Sequence, residues 1–335
     1  MTKQDFFALG IGHKTTNLNK QTIDCFFPNP VFNASPEEIK GLNAYASGTS
    51  EISPSEALQI KQKISPHLVP DALIEADKPL TMVYLQQDNL IDSVEEAYLK
   101  LHLLSHRLTL PNTLNLGQLF EHLPTVAWTN FGPIDASEIN DRIIEHRVKG
   151  EHLEVYSVDK FPKMTNYVIP QGVRIADSSR IRLGAYLGEG TTVMHEGFIN
   201  FNAGAHGPNM VEGRISQGVV IGEGSDLGGS ASTMGTLSGG GEIRISIGKN
   251  CLVGANAGTG IPLGDRCTIE AGLYITSGML ISVLDENNKE IKKVKARELA
   301  GASDMLFIRN SQTGQIVCKT NNQAIALNEA LHKNN

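Results

Sequence analysis

From Ile169 onward, aliphatic residues recur every six positions: Ile169, Ile175, Ile181, Leu187, Val193 and Ile199. The series returns at Ile221 and Leu227, again at Ile247 and Val253, and closes with Leu263, Ile269, Ile275 and Ile281. The next position is usually small or acidic, as at Gly188, Gly222, Gly228, Gly248, Gly254, Gly264 and Glu270. A period of six fits neither the 3.6 of an α-helix nor the 2 of a strand. It fits a prism in which each unit makes one short strand and a corner, with three units to a coil. The aliphatic side chain points inward and stacks on its equivalents, and glycine takes corners where a side chain would collide. Coils of this kind bury their interior only by stacking, and about 115 residues give roughly six of them. The expectation is a parallel β-helix.

Two stretches depart from the period. One lies between Asn200 and Met210, after which Val211 returns in phase; the other lies between Ser232 and Ile245. Insertions in a solenoid map to loops on one face, where sites are commonly carried. Residues 1 to 165 follow a different pattern and predict an α/β domain. Phe6 to Gly12 and Leu80 to Gln86 read as strands. Ser93-Val94-Glu95-Glu96 resembles a capping box opening a helix with Val94, Ala97, Tyr98, Leu101, Leu104 and Leu108 on one face, closed by Pro111. A second helical run covers Ile139 to His146. The expected domains are 1–165, the β-helix 166–282, and a polar C-terminal cap 283–335.

Composition adds constraints. The net charge of −7 argues against nucleic acid or an anionic membrane as partner. Four scattered cysteines, Cys25, Cys251, Cys267 and Cys318, read as reduced thiols of a cytoplasmic protein. No signal-peptide pattern or membrane-length apolar run is visible. The 33 glycines crowd between Gly184 and Gly278, and residues 1 to 165 carry no recognisable chemistry.

The segments MHEGFINFNAGAHGPNMVEGRIS (Met194–Ser216), GSDLGGSASTMGTLSGGG (Gly224–Gly241) and KARELAGASDMLFIRNSQTG (Lys295–Gly314) stand in order along the chain. Together they closely resemble the tetrahydrodipicolinate N-succinyltransferases, within the hexapeptide-repeat acyltransferases and in the branch with a large N-terminal domain. The resemblance covers about residues 165 to 315. It implies a left-handed parallel β-helix, a homotrimer, and no covalently bound cofactor. It also implies succinyl-CoA as the donor of a succinyl group to the amine of an acyclic dicarboxylate.

Glu212, in Met-Val-Glu-Gly-Arg, sits where the small residue of a repeat normally stands, so its carboxylate can face outward. It could act as general base toward the attacking amine or attack the thioester itself; the resemblance matches it to the family's acyl-anhydride residue, and the residues alone leave both open. Arg214 offers a planar fork suited to a carboxylate of donor or acceptor, or a salt bridge to Glu212. Gly228, Gly229 and Ser232 would let backbone amides approach the ligand. By resemblance, Ala255 and Glu270-Ala271-Gly272 line the CoA channel, while Lys295 and Ile308-Arg309-Asn310-Ser311 face the CoA phosphates or donor carbonyl.

The resemblance further implies a magnesium ion on the trimer axis. Glu196 matches one acidic ligand, but Ser179 stands where a second is expected, with Asp177 close by. His195 and His206 suggest a zinc hydratase on the same fold, although two ligands fall short of a catalytic zinc set. An acetyltransferase of another small amine, or a non-catalytic scaffold, are the remaining alternatives.

Overall fold

The computed structural model describes residues 8–33, 42, 45–76, 78–238 and 242–320. The chain divides into two compact units, Met1–Val168 and Ile169–Asn335.

In the first unit, strands β1 (Ala8–Thr16), β2 (Thr22–Phe26), β3 (Val31–Phe32), β4 (Gly48–Ile52) and β5 (Leu80–Leu85) form an antiparallel sheet of order β2-β1-β5-β4, with β3 on β1. Phe6 and Phe7 of the expected first strand lie outside the described residues. Helix α1 (Pro54–Ile64) packs Ala57, Ile60 and Ile64 into a cluster with Leu9, Ile11, Met82 and Tyr84. After the short α2 (Asp71–Glu75) comes α3 (Val94–Ser105), capped by Ser93, whose Oγ accepts from the Glu96 N–H at 3.2 Å.

The α3 helix is buried nearly all round, including Lys100 and His102. Lys100 is tolerated because its ammonium donates at 2.7 Å to Asp88 Oδ1 and to the carbonyls of Asn89 and Asn115. His102 donates from Nδ1 to the Tyr98 carbonyl, and burial pushes its imidazole down to about 3. Helix α3 ends earlier than the sequence predicts. Arg107 turns left-handed at φ 61°, and the Leu108 N–H reaches back to the Leu103 carbonyl at 2.9 Å. That Schellman-type stop precedes Pro111 and leaves Leu108 partly exposed. A short α4 (Leu119–His122) leads to a three-stranded sheet of β6 (Val126–Thr129), β7 (Gly132–Asp135) and β8 (Val155–Asp159), with α5 (Ile139–Val148) between the last two.

The second unit is the left-handed parallel β-helix. Its first face stacks Arg174–Ile175, Thr191–Val193, Asn209–Val211, Asp226–Leu227, Leu252–Val253, Thr268–Ile269 and Met305–Arg309. The second stacks Phe198–Ile199, Arg214–Ile215, Ser232–Thr233, Gly258–Thr259 and Tyr274–Ile275. The third stacks Tyr186–Leu187, Gly204–Ala205, Val220–Ile221 and Ser246–Ile247, and Leu263 bridges to Ile247. The last residue of each short coil strand points inward, and from Ile181 to Ile281 the aliphatic series is at most 3% exposed. Ile175, in the terminal coil strand, is only half-buried, and Ile169, which precedes that strand, is 68% exposed.

The stretch from Asn200 to Met210 corrects the expected insertion. It is an ordinary coil with Ala205 as the inward residue, fully buried. The true irregularity follows it: Val211 and Ile215, both inward, are only four residues apart. Between Thr233 and Ile247 the chain does leave the prism, in an excursion where Thr236 and Arg244 bridge. Ser238 ties that excursion back, donating its N–H to the Gly260 carbonyl at 3.0 Å.

Beyond the coils, Leu280–Leu284 pairs antiparallel with Glu290–Lys295, and Met305–Arg309 pairs antiparallel with Ile316–Thr320. Met305–Arg309 also runs parallel to Thr268–Ile269, setting the fully buried Phe307 over Ile269. The segment expected to cap the prism thus extends its first face; residues 321–335 lie outside the described ones.

The corners tolerate no added volume where coils touch. A Cβ on Gly188 would stand 1.9 Å from the His206 carbonyl oxygen of the next coil, a backbone atom that cannot step aside. Gly188→Ala should therefore destabilise the chain by about 1–3 kcal/mol or more, read as a lowered urea midpoint with unchanged m-value.

Candidate active site

The corner joining the first face to the second carries most of the candidate residues. Regular coils spend four residues there, as at 194–197, 228–231 and 254–257. The coil between the first two of these spends only Glu212 and Gly213 before its strand Arg214–Ile215. This shortened corner leaves a notch holding Glu212, half-buried. Ser230 spans it: its N–H donates to the Glu212 carbonyl at 3.2 Å, and its Oγ donates to Glu196 Oε2 at 2.7 Å in the coil beyond. Both carboxylates reach Gly229, where an added Cβ would stand 3.5 Å from Glu196 Oε2 and 3.8 Å from Glu212 Oε2.

Within the 228–231 corner, Gly228, Ser230 and Ala231 donate their amides to Val253, Glu212 and Gly228 carbonyls. The Gly229 N–H has no acceptor among the described residues and so stands as an unused donor beside the notch.

Arg214 lies on the second face, exposed, and donates from Nη2 to Ser232 Oγ at 2.6 Å. No ion pair joins it to Glu212 among the described residues. Its neighbours in the outer row of that face are Phe198 and Ser232, then Gly258 and Tyr274. Arg182, level with Asn200 and donating to its Oδ1 at 3.0 Å, lays its guanidinium over the Phe198 ring at 5.8 Å, a second cation beside the row. Arg182 escaped the sequence reading because it follows the inward Ile181 with no motif around it.

Further along the same corner column come Ala255, then Glu270, Ala271 and Gly272, all exposed. Gly272 has φ +73° and nothing within 4 Å of an added Cβ, so this part of the column opens to solvent. Glu270 also has an internal duty: its Oε2 accepts the Arg309 N–H at 2.7 Å. Ile308 is half-buried, and Asn310 and Ser311 stand in the turn after it, where Asn310 Oδ1 accepts from Gln312 and Thr313 N–H groups. Lys295 is exposed and ends its strand elsewhere, paired with Leu280.

The metal candidates fare differently. Glu196 is already engaged by Ser230, and the Asp177 carboxylate accepts from Ser179 Oγ and N–H, which holds it below the usual carboxylate range. Among the described residues, no three His, Cys, Asp or Glu side chains gather as a metal site. His195 shares the corner of Glu196, whereas His206 lies at the corner from the third face to the first, edge-on to Tyr186 at 5.9 Å. The two histidines therefore do not converge within one chain.

A coil stack whose corner carries a recessed carboxylate and a free amide, with an arginine on the adjoining face, fits a hexapeptide-repeat acyltransferase. Residues 244–277 match the family model described as hexapeptide repeat of succinyl-transferase, and residues 123–163 match that of the tetrahydrodipicolinate N-succinyltransferase middle. The chain is 54% identical to the 2,3,4,5-tetrahydropyridine-2,6-dicarboxylate N-succinyltransferase of Pseudomonas paraeruginosa, covering 99% of both. It is 52% identical to the protein of the same name from Vibrio cholerae, covering 98% and 99%. A solved Campylobacter jejuni structure, described as a candidate 2,3,4,5-tetrahydropyridine-2-carboxylate N-succinyltransferase, superposes with a TM-score of 0.82 at 31% identity, covering 95% and 93%. The chain belongs to the tetrahydrodipicolinate N-succinyltransferase family. Its kinship extends to the first unit, where the β6–β8 sheet falls in the 123–163 match that the sequence reading passed over.

The Glu270 contact generates a test. If its carboxylate tethers Arg309, Glu270→Ala should speed amide exchange at Arg309 by at least about tenfold, the equivalent of ~1.4 kcal/mol, while exchange at Ile275 stays unchanged.

Proposed function

We propose that this chain transfers the succinyl group of succinyl-CoA to the amine of tetrahydrodipicolinate in its acyclic amino-oxo-pimelate form, a step toward diaminopimelate and lysine. The observation that carries the reading is the notch: a carboxylate recessed at a shortened corner, with an unused amide beside it and an arginine on the adjoining face. The amine attacks the thioester carbonyl carbon, a C–N bond forms, and the C–S bond breaks. Glu212 takes the proton that nitrogen loses and passes it to the departing sulfur, so CoA leaves as free thiol. In the anhydride route the same carboxylate attacks the thioester carbon and CoA leaves as thiolate; the amine then attacks the anhydride, freeing the carboxylate, and its proton passes to the thiolate. Either route sets Glu212 against the reacting carbon.

Gly229 N–H stabilises the oxyanion as it forms. Arg214, oriented by Ser232, binds a carboxylate that an acetyl donor lacks. Parallel strands stack about 4.8 Å apart, so the column from Glu212 to Ala271 spans three spacings, about 14 Å. That length suits an extended pantetheine arm running from the notch past Ala255 toward Gly272, with Arg309, Asn310 and Ser311 at the phosphate end. Lys295, which ends its strand elsewhere, takes no part in this track.

Three chains would close around the prism axis, so that neighbouring faces complete each groove. The cytoplasm suits a chain whose described cysteines are buried and free. The donor set does not fit magnesium: each chain offers Glu196 and Asp177, both already hydrogen-bonded, and Ser179 replaces the second expected carboxylate. No step here needs the metal.

Release of CoA thiol should require both succinyl-CoA and tetrahydrodipicolinate, and acetyl-CoA should release far less. Equal turnover of both donors, or release with neither, would overturn the assignment. Glu212→Ala should lower kcat by at least about 10²-fold, while light scattering still gives three times the 36.2 kDa chain. Arg214→Lys should cost about 10- to 100-fold in kcat/KM for succinyl-CoA, in keeping with a charge-assisted hydrogen bond of ~1.5–3 kcal/mol, and little for acetyl-CoA.

A further inference from the structure

The first unit contains a cavity that the transfer chemistry does not use. Its volume is about 290 Å³, small for a ligand site but sufficient for a short aliphatic molecule. Phe26, Trp128 and Tyr167 give it aromatic walls, Thr129 and Pro133 complete them, and Asp24 lines it with a carboxylate. The Phe26 and Tyr167 rings stand 6.4 Å apart, inclined at 56°.

The polar atoms of those walls are mostly spent inside the protein. Trp128 Nε1 donates to the Asp159 carbonyl at 3.1 Å. Thr129 Oγ1 donates to the Gly132 carbonyl at 2.7 Å and accepts from the Phe131 N–H at 3.0 Å. What the cavity offers a ligand is therefore aromatic surface, one carboxylate and Asn166 beside it.

That carboxylate lacks a counter-ion. Asp24 is 7% exposed, and the hydroxyls of Tyr167 and Thr15 donate to it. No lysine, arginine or histidine among the described residues forms an ion pair with it. Hydroxyls satisfy its lone pairs but leave its charge uncompensated, a costly state for a buried ion. Burial raises its carboxyl above the ordinary range, against the lowering effect of those hydroxyls.

We propose that this cavity is a second binding site, for a small aliphatic ammonium ligand whose charge pairs with Asp24. Its stem packs between Phe26, Trp128 and Tyr167, whose ring faces attract a cation in their own right. The proposal does not rest on the assignment of succinyl transfer.

Trp128 is the chain's only tryptophan, so its emission reports the cavity directly. The full-length protein is titrated at pH 7 and constant ionic strength with n-butylammonium, n-butanol and butyrate. A saturable change with n-butylammonium, at least tenfold weaker or absent with the other two, is expected. Asp24→Asn should weaken the ammonium response at least tenfold. An equal response to all three ligands, no saturable response to n-butylammonium, or an unaltered response in folded Asp24→Asn overturns the proposal. Should that variant fail to fold, the three-ligand comparison on the unaltered chain decides alone.

Discussion

Every coil of the β-helix can bury its interior only against the coils before and after it. The rest of the second unit follows from that constraint. Inward positions must stack in register, so Val193, Val211, Leu227, Val253 and Ile269 form one buried ladder, and Phe307 continues it. Register in the ladders fixes register at the corners. Side chains distant in sequence, such as Glu196, Glu212 and Ser230, thereby become neighbours a strand spacing or two apart. Variation can only be directed outward, by lengthening a corner or shortening one.

Both options are used. The excursion between Thr233 and Ile247 lengthens one corner, and its Ser238 is tied to Gly260 and to Ser277, whose N–H donates to Ser238 Oγ at 2.6 Å. The two-residue corner at Glu212 does the reverse, withdrawing one coil so that its neighbours meet across it through Ser230. A carboxylate recessed this way is partly screened from water yet open along the column, the setting that the proposed proton transfer would need. The rigid ladders supply the positioning, so little ordering is left to be done when substrates arrive.

The period of six was legible because aliphatic residues dominate the ladders. It failed where a ladder used something smaller or polar. Ala205 was hidden by its size, which made an ordinary coil read as an insertion. Thr233, fully buried and inward, fell inside a stretch that reads as a break, and Thr259, equally buried, is missing from the aliphatic series. Each absorbs its own hydroxyl: Thr233 Oγ1 donates to the Arg214 carbonyl at 3.1 Å and Thr259 Oγ1 to the Ile261 carbonyl at 2.6 Å. Glu212 and Arg214 could be singled out from residue type and spacing, but the shortened corner that sets Glu212 apart requires knowing that Ile215 points inward. The roles of Ser230 and Arg182 depend on contacts between coils that no local pattern encodes. In the first unit, β1, β5, α3 and α5 followed from periodicity, whereas the Asp24 cavity draws on residues more than a hundred positions apart.

The proposed acyl-donor track is one corner column, from Glu212 to the Arg309 turn. Hydrogen exchange with and without saturating CoA tests it most directly. The account predicts protection at Gly229, Ala255, Ala271, Gly272 and Arg309 to Ser311. Unchanged exchange along that column, with protection appearing elsewhere in the chain, would contradict it.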